Sequence, residues 1–155
     1  MSTSASTSDR IEKKIVLRAP RSRVWRALTS AEEFGTWFGV KGLKGTFAPG
    51  QQVKGQIANP GYEHLTMEFT VEKVEPEHLL SYRWHPHAVD PKHDYSGEPT
   101  TLVEFQLQEI AGGTQLTLVE SGFDRIPLER REQAFRSNDG GWAEQMRRIE
   151  RHVSA

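Results

Sequence analysis

The residues best equipped for chemistry crowd into one stretch, Trp84-His85-Pro86-His87-Ala88-Val89-Asp90-Pro91-Lys92-His93-Asp94. His85 and His87, two apart at a strand end, point the same way, and Asp90 or Asp94 could complete a zinc or iron site. The competing reading is a polar loop that happens to hold three histidines. Cys is absent, and Pro86 and Pro91 distort the strand spacing such a pair needs, so no bound metal is expected. Residues 86–99 form a long connection for a compact domain, either a stiff lid or binding element or a packed surface excursion. A second candidate is Glu120. It follows Leu116 and Leu118 on the apolar parity of a strand, where a desolvated carboxylate could act as acid or base. The reading favoured here is a rim residue paired with an arginine or capped by backbone. Arg83, on the parity opposite Tyr82 and Trp84, is expected in solvent.

Other chemistries find no support. Gly39-Val40-Lys41-Gly42-Leu43-Lys44-Gly45 lacks the spacing and the trailing hydroxyl of a phosphate cradle, and turns between a short helix and a strand explain it better. There is no G-x-S-x-G elbow and no H-E-x-x-H pair, so no catalytic residue and no cofactor is assigned.

The elements that must position these residues follow from periodicity. Ile11, Ile15 and Leu17 alternate along a first strand. Pro20 opens a short helix carrying Val24, Trp25 and Leu28. Ser30 and Glu33 form a capping-box pattern that starts a second short helix with Phe34, Trp37 and Phe38, ending near Gly39. Gly42, Gly45 and Gly50 punctuate turns. Strand-like runs follow at 52–58, 65–74 and 77–85. A hairpin over 100–110 and 114–123 turns at Ala111-Gly112-Gly113. From Pro127 the pattern becomes helical, with Trp142, Met146, Ile149 and Val153 in one stripe and Glu132–Arg136 and Glu144–Arg148 as i,i+4 pairs. Gly140-Gly141 is a weak point with Asp139 as a possible N-cap, so the helix is either continuous or broken there.

Composition bounds the function. With 155 residues the chain is one domain long and can bury a core unaided. Twenty basic against twenty-one acidic side chains leave a formal charge of -1, which argues against a nucleic-acid binder with a basic face. No apolar run is long enough to span a bilayer. Residues 1–9 have neither the charged start nor the apolar stretch of a signal peptide and read as a disordered tail, with a single domain over 10–155 and a cytoplasmic location expected.

The order of these elements resembles the START-like or SRPBCC superfamily, in the branch related to the C-terminal domain of the activator of heat-shock-protein-90 ATPase. The matching runs are Ala19-Pro20, Val24-Trp25-Arg26-Ala27-Leu28-Thr29, Val74-Glu75-Pro76, Tyr82-Arg83-Trp84, Gly113-Thr114 and Gly141-Trp142. The resemblance implies an α+β helix-grip fold, a curved antiparallel sheet of six or seven strands around a long C-terminal helix, with two short helices after the first strand. It also implies a hydrophobic cavity between sheet and helix. The ligand-binding residues expected on that basis are Trp37, Phe38, Val53, Phe69, Tyr82, Trp84, Phe105, Leu118, Glu120, Trp142, Met146 and Ile149. Fold does not fix function. The expected function is binding of a small hydrophobic molecule by a monomer or homodimer. The alternatives are a cyclase- or hydrolase-type enzyme in the same pocket and, less favoured because the chain has no room for a further chaperone-binding domain, an adaptor.

Overall fold

The computed structural model describes residues 9–58, 60–90 and 92–154. The expected tail over 1–9 therefore lies outside the described residues except for Asp9. That residue is tied down: its carbonyl accepts from the amides of Gly122 and Phe123, both at 3.1 Å.

Alternating apolar residues form seven strands. These are β1 (Arg10–Leu17), β2 (Val40–Lys44), β3 (Gln52–Ile57), β4 (Thr66–Glu75), β5 (Leu79–Trp84), β6 (Thr101–Ile110) and β7 (Gly113–Ser121). They make one sheet in the order β1-β7-β6-β5-β4-β3-β2, antiparallel throughout. The β6–β7 hairpin closes where Ile110 pairs with Gly113, and Gly112 takes a φ of 82° there, which only glycine adopts without cost. The helices are α1 (Arg21–Thr29), α2 (Ala31–Phe38) and α3 (Leu128–Ser154).

β2 corrects the sequence reading. Glycine interrupts the five residues Val40 to Lys44 and makes them look like turn, yet they pair as an edge strand with β3. Strands this short leave too few alternations for a period to show.

Of the two alternatives that spacing leaves for α3, the continuous one holds: the helix runs unbroken through Gly140 and Gly141. Two glycines cost roughly 1 kcal/mol each in a helix interior. Burial of Ala134, Trp142, Met146, Ile149 and Val153 along one stripe offsets that, at about 1.5–3 kcal/mol for each large side chain. Asp139 does not cap a helix; its carboxylate meets Lys13 of β1 at 2.9 Å. The Glu132–Arg136 and Glu144–Arg148 pairs form as spaced.

The sheet curls around α3, and the space between them is filled mainly by rings. Phe69 stacks on Tyr82 with centroids 4.0 Å apart, Tyr82 lies edge-on to Trp84, and Phe105 lies edge-on to Trp142. Each such pair adds about 0.5–1.5 kcal/mol to the area it buries.

Candidate functional site

The connection between β5 and β6, residues 85–100, folds back against α3 and is fastened there. Arg130 of α3 donates through Nε to Glu98 Oε1 at 2.8 Å and through Nη1 to the Pro86 carbonyl at 2.8 Å. Its guanidinium also lies over the Tyr95 ring, 4.7 Å from the centroid. His85 donates to the Glu98 carbonyl at 3.0 Å, and His93 to Glu98 Oε2 at 2.7 Å. Glu98 is pulled below the usual carboxylate range: burial opposes this, but His93 and Arg130 outweigh it. Local turns at Asp90 and Asp94 stiffen the segment, their carboxylates accepting from the amides of Lys92 and Ser96.

The three histidines are thus not gathered on one point. His85 and His93 are spent on Glu98, and His87 sits at a φ of 51°, a left-handed conformation that β-carbon-bearing residues adopt only when their surroundings enforce it. Among the described residues no three His, Asp or Glu side chains converge as metal ligands. The His87 imidazole is held below its ordinary pKa by burial and then by the nearby Arg130 charge, so it is neutral at pH 7.

Beneath this loop lies a partly open cavity of about 470 Å³, with Phe38, Ile57, Leu65, Trp84, Val89 and Asn138 among its walls. A second lobe of about 290 Å³ shares those six residues and extends to Trp142, Gly141 and Gln145 on α3. Each wall has a local cause. Trp84 ends β5 on the parity of Leu80 and Tyr82. Phe38 ends α2, which stops because Gly39 takes a φ of 94°. Asn138 and Trp142 are four apart on α3 and so share a face. The smaller lobe is mainly apolar and aromatic, while the larger one also carries Thr66, His85, His87, Asp94 and Ser96 on its walls; a space of this size has room for a small molecule.

Directly behind Trp84 and Trp142 sits Glu120, which is wholly buried. Its Oε1 accepts from Trp142 Nε1 at 2.7 Å and from Asn138 Nδ2 at 2.9 Å. Its Oε2 accepts from Trp84 Nε1 at 2.7 Å, Thr101 Oγ1 at 2.5 Å and Asn138 Nδ2 at 3.2 Å. The favoured sequence reading, a rim carboxylate held by arginine or backbone, is therefore wrong. Glu120 is on the apolar parity, as its spacing indicated, but all its partners are neutral side chains. Indole N–H groups only donate, so the carboxylate fixes the planes of both tryptophans. The Tyr82 hydroxyl is buried without a hydrogen-bond partner among the described residues. Burial, then the Glu120 charge, raises its pKa well above the ordinary value.

Of the twelve residues expected to line a pocket, Phe38, Trp84 and Trp142 border the cavity and Glu120 braces two of them. Trp37, Val53, Phe69, Tyr82, Phe105, Leu118, Met146 and Ile149 are instead buried core. The reason is volume: stacked rings occupy the centre of the grip and push the open space out to its end, beneath residues 85–100. Sequence reasoning missed Ile57, Leu65, Val89, Asn138 and Gln145. One signal was available, since Asn138 is a polar residue on the apolar stripe one turn before Trp142.

The sequence profile of the family described as activator of Hsp90 ATPase homolog 1-like protein matches residues 18–154. No curated protein matches the chain. Among solved structures, protein MLL2253 from Mesorhizobium loti is 22% identical, with 94% of this chain and 96% of that one covered at a TM-score of 0.73. DynU16, a protein in the dynemicin biosynthetic locus, is 24% identical, with 95% of this chain and 48% of that one covered at 0.71. The Aha1 dimer from Colwellia psychrerythraea is 18% identical, with 93% and 95% covered at 0.69. Likenesses at these identities are likenesses of fold.

Proposed function

The chain belongs to the activator of Hsp90 ATPase homolog 1-like family, and from that premise we propose that it binds a small, largely apolar molecule in the cavity beneath residues 85–100. The observation that supports this most is the joined pair of lobes, about 470 and 290 Å³, walled by Phe38, Trp84 and Trp142. Three further hollows of about 610, 380 and 320 Å³ lie along α3, but each holds at most one Phe, Tyr or Trp, whereas Phe38, Trp84 and Trp142 together wall this space. DynU16 is a protein in a biosynthetic locus, which is in keeping with a small organic ligand. Among the described residues no helix is long and apolar enough to cross a membrane. The same reading places the chain in the cytoplasm as a monomer or homodimer, the latter in line with the Aha1 dimer from Colwellia psychrerythraea.

The enzymatic alternative would rest on Glu120. Both its oxygens already accept from two indoles, a threonine and an asparagine, and the indoles stand between it and the cavity. That arrangement suits a brace better than a proton-transfer group, which needs direct reach to the substrate.

Calorimetric titration with naphthylmethanol, a neutral aromatic probe, tests the binding reading. Wild-type protein is expected to bind it, and Leu65→Trp, which fills both lobes from a loop position, is expected to weaken binding at least about tenfold while keeping the thermal midpoint. Equal binding by both proteins would place the probe elsewhere and remove the support for this cavity.

A further inference from the structure

The smaller lobe has two amide side chains on its α3 wall, Asn138 and Gln145, and neither is free to turn. Asn138 Nδ2 lies 2.9 Å from Glu120 Oε1 and 3.2 Å from Oε2 and donates to both. The reverse orientation would set a carbonyl oxygen against a carboxylate. Asn138 Oδ1 is therefore turned away from Glu120. It accepts from no group among the described residues and is not sealed from solvent, which leaves it open on a residue that walls both lobes. Gln145 repeats the arrangement two turns on. Its Nε2 donates to the Phe38 carbonyl at 3.0 Å, and its Oε1 is buried without a partner among the described residues.

The donors of this wall are already used. Trp84 and Trp142 give their indole N–H groups to Glu120. The other polar side chains of the smaller lobe, Tyr62, His87 and Ser137, can each donate or accept, His87 because its ring is neutral. The groups with a fixed sense are thus acceptors. An amide oxygen facing a mainly apolar space without a partner costs free energy, which a ligand donor recovers. Net charge would not help a ligand here. A cation would meet the Arg130 charge that, after burial, holds the His87 pKa down. An anion would meet two carbonyl oxygens, one of them backed by Glu120, and no fixed donor.

Resting on the binding reading above, we propose that this cavity selects a neutral aromatic molecule carrying a hydroxyl or N–H donor, which Asn138 Oδ1 accepts. The apolar body lies against Phe38, Trp84 and Trp142. Asn138 is then the residue that sets specificity, and Glu120 gives it its sense by holding the amide nitrogen.

The test uses three probes with the same ring and point of attachment. Naphthylmethanol can donate; ethylnaphthalene has a methyl group where the alcohol has its hydroxyl; the methyl ether of naphthylmethanol can accept but not donate. Calorimetry on the full chain at pH 7 is expected to find the alcohol at least about tenfold tighter than either comparator, because each of them leaves the Asn138 oxygen unpaired. In Asn138→Leu, close in volume but without the amide, the alcohol should lose that lead while ethylnaphthalene keeps its affinity. Glu120 retains Trp84, Trp142 and Thr101 as donors in that variant. Where the variant does not fold, or loses ethylnaphthalene too, the wild-type ranking decides. If either comparator binds wild type as tightly as the alcohol, or the folded variant keeps the alcohol's lead, selection for a donor at Asn138 is overturned and the binding reading stands. If none of the three binds, both are overturned.

Discussion

Two carboxylates join the sheet-and-helix grip together, and they do so by opposite means. Glu33, on α2, faces solvent in part and collects three basic partners from two other helices: Arg23 at 2.6 Å and Arg26 at 2.8 Å from α1, and His152 of α3 at 2.9 Å. Glu120, on β7, is wholly buried and collects only neutral donors, from β5, β6 and α3. The first is a joint between helices that solvent and salt can loosen. The second is a brace that water cannot reach, and it sets the orientation of the two indoles that border the cavity. Where a charge must fix geometry near a binding space, directional donors serve better than mobile cations.

The largest effect should come from the brace. Glu120→Gln keeps the shape but turns one acceptor into an NH₂ group that faces indole N–H groups. The expected loss is about 2–4 kcal/mol, because buried donors are left unpaired, read as a lowered urea midpoint. The matched change Glu33→Gln should cost about 1 kcal/mol or less, as a partly exposed ion pair does. Equal losses at the two sites would break the comparison.

Acid separates the two carboxylates next. Burial raises the Glu33 pKa, but hydrogen bonds from His152, Arg23 and Arg26 outweigh it and bring the value from 4.5 down to about 2. A group whose folded value is depressed stabilises the fold above its unfolded value and loses that contribution as pH falls. The Glu33 joint should therefore give up about 1 kcal/mol, after allowing for solvent screening, as pH falls from 4.5 to about 2. Unfolding curves of wild type and Glu33→Gln should converge across that interval; curves that stay parallel would contradict it.

How much of this was legible beforehand differs between the two sites for a physical reason. Ser30 and Glu33 are three residues apart, and their local pattern announced the start of α2, where Ser30 Oγ accepts from the Glu33 amide at 3.3 Å. The strands and α3 were legible in the same way, from periods of two and 3.6 residues. Even so, the Glu33 side chain does not reach back to complete a capping box, because the Ser30 amide already donates to the Arg26 carbonyl at 2.9 Å and the carboxylate is held by three basic groups. The brace had no local pattern. Trp84, Thr101, Glu120, Asn138 and Trp142 come from four elements, and only the sheet register, with Glu120 opposite Val103, brings them together. Cavity position was illegible for a related reason: an alternation of apolar residues tells which side chains point inward, but not whether the rings there meet or leave space.

A smaller contrast lies within the core itself. Tyr82 is as buried as Glu120, yet among the described residues its hydroxyl has no hydrogen-bond partner to lose. Tyr82→Phe should change stability by less than about 1 kcal/mol in either direction, and a loss near that of Glu120→Gln would show that the hydroxyl belongs to the brace.

The indole N–H resonances test the central claim most directly. The chain has four tryptophans: Trp84 and Trp142 bordering the cavity, Trp37 donating to the Ala27 carbonyl, and Trp25 on α1. In a nitrogen–proton correlation spectrum titrated with naphthylmethanol, the signals of Trp84 and Trp142 should move together and saturate, while those of Trp25 and Trp37 stay fixed. Movement of Trp25 or Trp37 alone, or no movement of any of the four, would contradict binding beneath residues 85–100.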